Sequence, residues 1–438
     1  MFYKIYPKSK VDFFRKLNDY EKYLYILWPT MFFLFSGNIK QERFIAALEK
    51  TFETFDFLFC RLKTRENNIH AEFSSIDDNY FSVEFEDSPH SLEDAFKNNL
   101  FLLPQQVGPG GGPGGPSVSD DLPLLYLKIT QLKDGFALCF CFNHFFGDLF
   151  TILSILKTLC NYYNDTPIKM EIPKFVNVDS LLGKSDAYFF KNISEFRRFG
   201  EQINRTYCAD LTNIKFRCDY YGRVSNCRLT FPVDQLNSFK KTAVQYISAN
   251  DVIAAVLLKI YSSNPLLKAN ARLSVEIACN MRKHFGLPDT SIGPLFATTT
   301  LRDVEAHRSK TAHIADLAVQ IREMVAKIDK STFFEILNWN QNFPENKENP
   351  SNYLPSFLVN PFLIMITNWS SFDCTDIHFG KGNNIIAIET LPNLFVTTIT
   401  FDNRDQQKLV AHLALPESVL DPAKQLGKQS GLFSLIIT

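Results

Sequence analysis

Residues 136–159 read FALCFCFNHFFGDLFTILSILKTL, and the hydrophobic pattern changes period within them. Residues 136–142 are apolar without a break, as in a buried strand, whereas residues 149–163 (LFTILSILKTLCNYY) repeat apolar positions at helical spacing. Asn143-His144 and Gly147-Asp148 lie between the two. Polar groups in such company are costly unless they are hydrogen-bonded or functional. A strand-to-helix turn is also where a sheet presents a side chain to a cleft. His144 therefore reads either as a functional imidazole or as a core histidine with satisfied hydrogen bonds. Just upstream, the runs LLYLKITQL (124–132) and FALCFCFN (136–143) are joined by Lys133-Asp134-Gly135. An Asp-Gly between two apolar runs is a hairpin signal.

The sequence holds a second His-x-x-x-Asp, His90 to Asp94 in PHSLEDAFKNN. Its surroundings are polar, and Glu93 and Asp94 suit the first turn of a helix, so it reads as surface structure. Residues 40–62 begin as an amphipathic helix with Phe44, Ile45, Leu48 and Phe52 on one face. Tyr23–Gly37 (YLYILWPTMFFLFSG) is greasy, but it contains Pro29 and falls short of the roughly 20 residues that a bilayer needs. A buried strand preceded by a loop is expected there.

The second half restarts the pattern. A strand (227–233) precedes a helix (234–246), and Ser248 opens another helix over 250–263. A strand follows at 272–280, then a polar helix around 305–329 and a strand at 361–369. Three close-set strands (383–391, 394–401, 408–415) and a helix over 416–426 complete the chain. Strands interleaved with helices and ending in hairpins predict an α/β protein of two domains, each a mixed β-sheet flanked by helices. The boundaries are 1–190 and 226–438, with a crossover connection at 191–225.

Composition narrows the function. The 46 Lys and Arg against 47 Asp and Glu give a net charge of −1, which argues against a nucleic-acid binder. Nine cysteines are an odd number without a CxxC pair, so reduced thiols and a cytoplasmic protein are expected rather than a disulfide framework. The opening MFYKIYPKSK has no apolar signal segment. No His pair sits at ligand spacing with a carboxylate, so no metal site is expected. The 42 phenylalanines read as core packing. Residues 108–116 (GPGGGPGGP) read as a flexible loop. Their formal GxGxxG match (Gly110, Gly112, Gly115) is interrupted by Pro113 and followed by no helix that could hold a phosphate.

The His144 segment resembles the HxxxD motif of the BAHD acyltransferases, relatives of the chloramphenicol acetyltransferase and condensation-domain superfamily. Residues 17–37, followed by the Phe44–Leu62 segment ending in CRL, are similar to the family's opening. SANDVIAAVLLKIYSS (248–263) resembles its helix after the crossover. VEIACNMRKHFGLPDTSIGP (275–294) resembles the DxRxR…P…GN region, with Asn280, Arg282, Gly293 and Pro294 at matching places. TNWSSFDCTDIHFGKGN (367–383) resembles the TSW…DFGWGKP block. Three departures stand out. His378 replaces an Asp that in the family pairs with the DxR arginine, Lys381 replaces a Trp, and Leu149 follows Asp148 where Gly is usual.

The resemblance implies two chloramphenicol-acetyltransferase-like domains with an active-site channel between them, in a monomer. It also implies transfer of an acyl group from acyl-CoA, a co-substrate rather than a bound cofactor, to a hydroxyl or amine of a small molecule. His144 would be the general base of a reaction through a tetrahedral intermediate without an acyl-enzyme. Asp148 would be structural support, and Gly147 would let the backbone turn closely. The Trp369 indole and Thr367 hydroxyl are the candidate oxyanion donors, although they also read as a strand-end core Trp and a surface Thr. Lys240 and Lys241 would meet the CoA phosphates, unless they are plain surface lysines. Three alternatives remain open: a thiol hydrolase using Cys139 or Cys141, a catalytically silent relative that binds an acyl-thioester or a partner, and a carrier-protein donor.

Overall fold

The computed structural model describes residues 1–25, 27–65, 68–107, 121–168, 174–181, 205–207, 220–268, 270–341, 353–355, 360–370, 372, 374–404 and 407–438. The apolar run of the opening segment forms the strand Gly135–Phe142, buried along its whole length. It pairs antiparallel with Leu125–Gln131 across the expected hairpin and with Thr30–Ser36 on its other side. The strands Phe81–Asp87 and Phe2–Ile5 extend the sheet beyond Leu125–Gln131, and Ile385–Thr390 adds antiparallel to Thr30–Ser36. The helices Gln41–Thr54 and Leu149–Tyr163 pack against one another, each burying an apolar face. Alternation along Gly135–Phe142 sends its side chains two ways. Ala137, Cys139 and Cys141 join Phe32, Leu34 and Phe96 in one cluster, whereas Phe136 stacks on Phe35 at 4.8 Å. Phe379 and Tyr163 add edge-on contacts to that aromatic core.

A second set of strands runs in the order Phe296–Glu305, Arg272–Asn280, Leu363–Asn368, Val396–Asp402, Lys408–Pro416, Val224–Pro232, Ser434–Ile437. Leu363–Asn368 is parallel to both of its neighbours, and the remaining pairs are antiparallel. The helices Ala249–Ser262 and Ile314–Val325 share its apolar core. Ser248 caps the first of these helices reciprocally with Asp251, as a start signal in the sequence should.

Two compact units result: Met1–Gly183 with Gly286–Leu295 and Phe372–Leu391, and Lys184–Phe285 with Phe296–Ser371 and Pro392–Thr438. The contiguous division expected from the sequence therefore meets two returns of the chain to the first unit. One of them is the strand Ile385–Thr390, whose partner Thr30–Ser36 lies at the other end of the sequence. The crossover at 191–225 lies outside the described residues except for 205–207 and 220–225, and the 108–116 tract lies wholly outside them.

Several elements differ from expectation. The Tyr23–Gly37 run becomes the end of a helix, Asp19–Tyr25, and the strand Thr30–Ser36. The helix expected over 234–246 spans only Val233–Lys240, because Thr242, Val244 and Tyr246 are poor helix formers and find no apolar surface to cover. The expected polar helix divides into Ala306–Thr311 and Ile314–Val325, preceded by the strand Phe296–Glu305. The last helix is Leu420–Ser430, stopped by Gly431 in the left-handed conformation. Among the described residues no helix is long and apolar enough to cross a membrane.

Candidate active site

The strand Gly135–Phe142 delivers the chain to a turn held by backbone and side-chain bonds. Asn143 is fully buried and donates its Nδ2 hydrogen to the Tyr25 carbonyl at 2.7 Å. Its Oδ1 accepts the Phe145 N–H at 3.2 Å. The backbone N–H groups of Asn143 and His144 reach Leu124 O and Leu27 O at 2.9 and 3.0 Å. No backbone donor at this strand end is wasted, which is what burial demands. Asp148 then caps the helix Leu149–Tyr163, accepting the Thr151 N–H at 3.2 Å.

Within that turn the Nδ1 of His144 lies 2.9 Å from the Gly147 carbonyl oxygen. A carbonyl only accepts, so this bond assigns the proton to Nδ1 and the basic lone pair to Nε2. The ring is partly exposed and meets the Phe142 ring edge-on at 6.1 Å. Desolvation holds its pKa below the ordinary 6.5, while its own backbone carbonyl, the Asp148 charge and the Gly147 carbonyl, in that order, pull it part of the way back. Gly147 is required for space rather than for an unusual backbone angle. A Cβ there would lie 2.5 Å from the Cβ, Cγ2 and Oγ1 of Thr151. Thr151 Oγ1 in turn accepts the Gly293 N–H at 3.3 Å.

Thr367 and Trp369 lie in the second unit, at the end of Leu363–Asn368. The Trp369 backbone N–H is pinned to Ile399 O at 2.6 Å, and its indole Nε1–H donates to Thr367 Oγ1 at 3.1 Å. The two therefore form a relay rather than a pair of parallel donors. The indole proton is committed to Thr367, and the Thr367 hydroxyl proton is the one left to point elsewhere. Lys240 ends the helix Val233–Lys240, half-buried, and Lys241 caps it, exposed.

The remaining sequence candidates sort themselves by burial and partner. Cys139 and Cys141 are buried, and desolvation pushes the Cys139 thiol well above its usual range and Cys141 up to about 12. Both also point to the sheet face opposite the even-numbered side chains, Phe142 among them, that lead to His144. A thiolate nucleophile there is contradicted by this burial. His90 is exposed, 3.8 Å from Asp94, at a helix capped reciprocally by Ser91 and Asp94. Arg282 is fully buried and donates Nη1–H to Asn280 Oδ1 at 3.2 Å. His378 is bonded through its carbonyl and its ring to Asn164, and Lys381 is exposed. Among the described residues no group of three His, Cys, Asp or Glu could hold a metal ion. Asn143 was noted in the sequence only as a polar group of the turn, and Thr151 was not singled out at all. A buried Asn at a strand end carries a signal, whereas a Thr in an apolar helix carries none.

The description "Transferase family" belongs to the family model that matches residues 38–426. The epi-neemfruitin B synthase L1AT of Melia azedarach is 22% identical over 303 residues, 69% of this chain and 66% of that protein, just under two thirds. TRI101 of F. graminearum, solved with coenzyme A and T-2 mycotoxin, superposes with a TM-score of 0.73 at 15% identity, over 97% of this chain and 99% of that one. Vinorine synthase does so with a TM-score of 0.68 at 16% identity, over 96% and 95%. The fold is common to all of these structures.

Proposed function

We propose that the chain, which belongs to the Transferase family, the BAHD-type acyltransferases, moves an acyl group from acyl-CoA to a hydroxyl or amine of a small molecule. The observation that carries this reading is the His144 Nδ1–H bond to Gly147 O, which gives Nε2 the lone pair a general base needs. TRI101 is described with coenzyme A, and this supports a CoA thioester as donor here.

In this reaction Nε2 takes the acceptor's proton as its oxygen or nitrogen attacks the thioester carbonyl. The tetrahedral intermediate collapses with cleavage of the C–S bond, and the imidazolium returns the proton to the departing CoA sulfur. No acyl-enzyme forms. The Thr367 hydroxyl, polarised by the Trp369 indole, donates to the oxyanion. Asp148 and Gly147 hold the turn, and Lys240 and Lys241 attract the CoA phosphates. Among the described residues no cysteine is joined in a disulfide, which suits a reducing cytoplasm, and because each assigned residue comes from one chain a monomer suffices.

The test is product formation by mass spectrometry, with a panel of acyl-CoAs and pooled alcohols and amines, on a sample also acid-quenched during turnover. Acylated product with no acylated protein supports the reading. Protein carrying a stable acyl group would replace it with covalent catalysis. Coenzyme A binding with no product from any pair would leave a silent binder.

A further inference from the structure

Thr151 stands in the first turn of the helix Leu149–Tyr163, fully buried. Its hydroxyl is fixed from two sides. Oγ1 accepts the Gly293 N–H at 3.3 Å and donates to Asp148 Oδ1 at a long 3.5 Å. A helical threonine divides between two χ1 rotamers, and these bonds select one. In that rotamer its side chain fills the space beside Gly147 where a Cβ would otherwise sit. The carbonyl of the same Gly147 takes the His144 Nδ1–H.

The donor at the far end of this chain is itself anchored. Gly293 has a φ of +140°, open to glycine, and the Val176 N–H reaches Ile292 O at 2.8 Å. The Ile292 N–H reaches Lys174 O at 2.9 Å, and the Tyr20 hydroxyl reaches Pro294 O at 3.3 Å. A continuous path of packed and bonded groups thus runs from the 291–294 loop through Thr151 and the Gly147 peptide to the imidazole.

We propose that Thr151 is a positioning residue for His144, fixing the Gly147 peptide and through it the tautomer and orientation of the ring. The inference rests on the reading of His144 as the base, and Thr151 itself contacts no reacting atom. Its sensitivity comes from geometry, since small misplacements of a catalytic group cost far more than the contact that caused them.

The experiment compares the full chain with Thr151→Val, which keeps the branched shape without the hydroxyl, and Thr151→Ser, which keeps the hydroxyl. Thr151→Ala takes the place of the valine variant if that one does not fold. Side-chain 15N NMR reads the histidine tautomers, with His144 assigned by its absence in His144→Gln, alongside thermal melts and steady-state kinetics. Wild type and Thr151→Ser should hold the Nδ1–H tautomer. Thr151→Val should become tautomerically mixed and lose roughly ten- to a hundredfold in kcat at unchanged KM. A valine variant with wild-type tautomer and kcat overturns the proposal, as does a serine variant that loses as much as the valine. If no protein turns over any donor while the tautomer still responds to valine, positioning stands and acyl transfer fails.

Discussion

The Gly147 carbonyl oxygen accepts the His144 Nδ1–H at 2.9 Å from only three residues along the chain. At Nδ1 the imidazole is therefore held by a local turn. Asp148, the acidic member of the motif, accepts the Thr151 N–H in the first turn of the helix. The arrangement differs in kind from a catalytic triad, in which an acid orients the base directly.

Activity should depend on pH through one low pKa. His144 acts in its neutral form and burial lowers its pKa, so the acidic limb of kcat/KM should have its midpoint below 6.5, with a plateau at neutral pH. A pH–rate profile with that midpoint above 6.5 would show that the titrating group is not a desolvated imidazole.

Asp148 variants should separate capping from charge. Asn caps a helix as well as Asp does, so Asp148→Asn should melt above Asp148→Ala, which loses the cap at a cost of about 0.5–2 kcal/mol. The Asp148 charge raises the His144 pKa, so the asparagine variant should also move the acidic limb to lower pH. Denaturant titrations and pH profiles on the same samples read both effects. A collapse of activity in Asp148→Asn with an unmoved limb would assign the carboxylate a chemical role.

The relay at the second strand end predicts unequal losses. Thr367→Val removes the proposed oxyanion donor and should cost about 10²-fold or more in kcat at unchanged KM. Trp369→Phe removes only the polarising N–H and should cost less. Equal losses, or a larger one for Trp369→Phe, would mean that the indole rather than the hydroxyl faces the substrate.

Thiol chemistry should be dispensable. Cys141 is pushed up to about 12 and Cys139 well above its usual range, so neither is a thiolate at neutral pH. Iodoacetamide treatment of the native protein, read by peptide mapping, should leave both unlabelled, and Cys139→Ala should retain turnover. Labelling of Cys141 with parallel loss of activity would restore the hydrolase reading.

The legible parts of the fold were those governed by local periodicity. The change from continuous apolar residues to helical spacing across Phe142 and Leu149 located the strand, the turn and the helix. Ser248 likewise announced a helix start that the structure contains. What was not legible depends on distant partners. Nothing in Ile385–Thr390 says that it pairs with Thr30–Ser36, so the discontinuous first unit could not be read from composition. At the site, His144, Asp148 and Gly147 were read from a motif, and the bond that organises them runs through a backbone carbonyl that no pattern encodes. Thr151 was invisible for the same reason, because its hydroxyl serves a glycine N–H 142 residues away.

The central claim is that His144 is the base of acyl transfer from CoA, and release of CoA thiol by wild type and His144→Ala tests it most directly. Binding of CoA to each protein is followed on the same samples. The account predicts a loss of at least about 10²-fold in turnover for His144→Ala, with CoA binding retained. Equal turnover in the two proteins would contradict it.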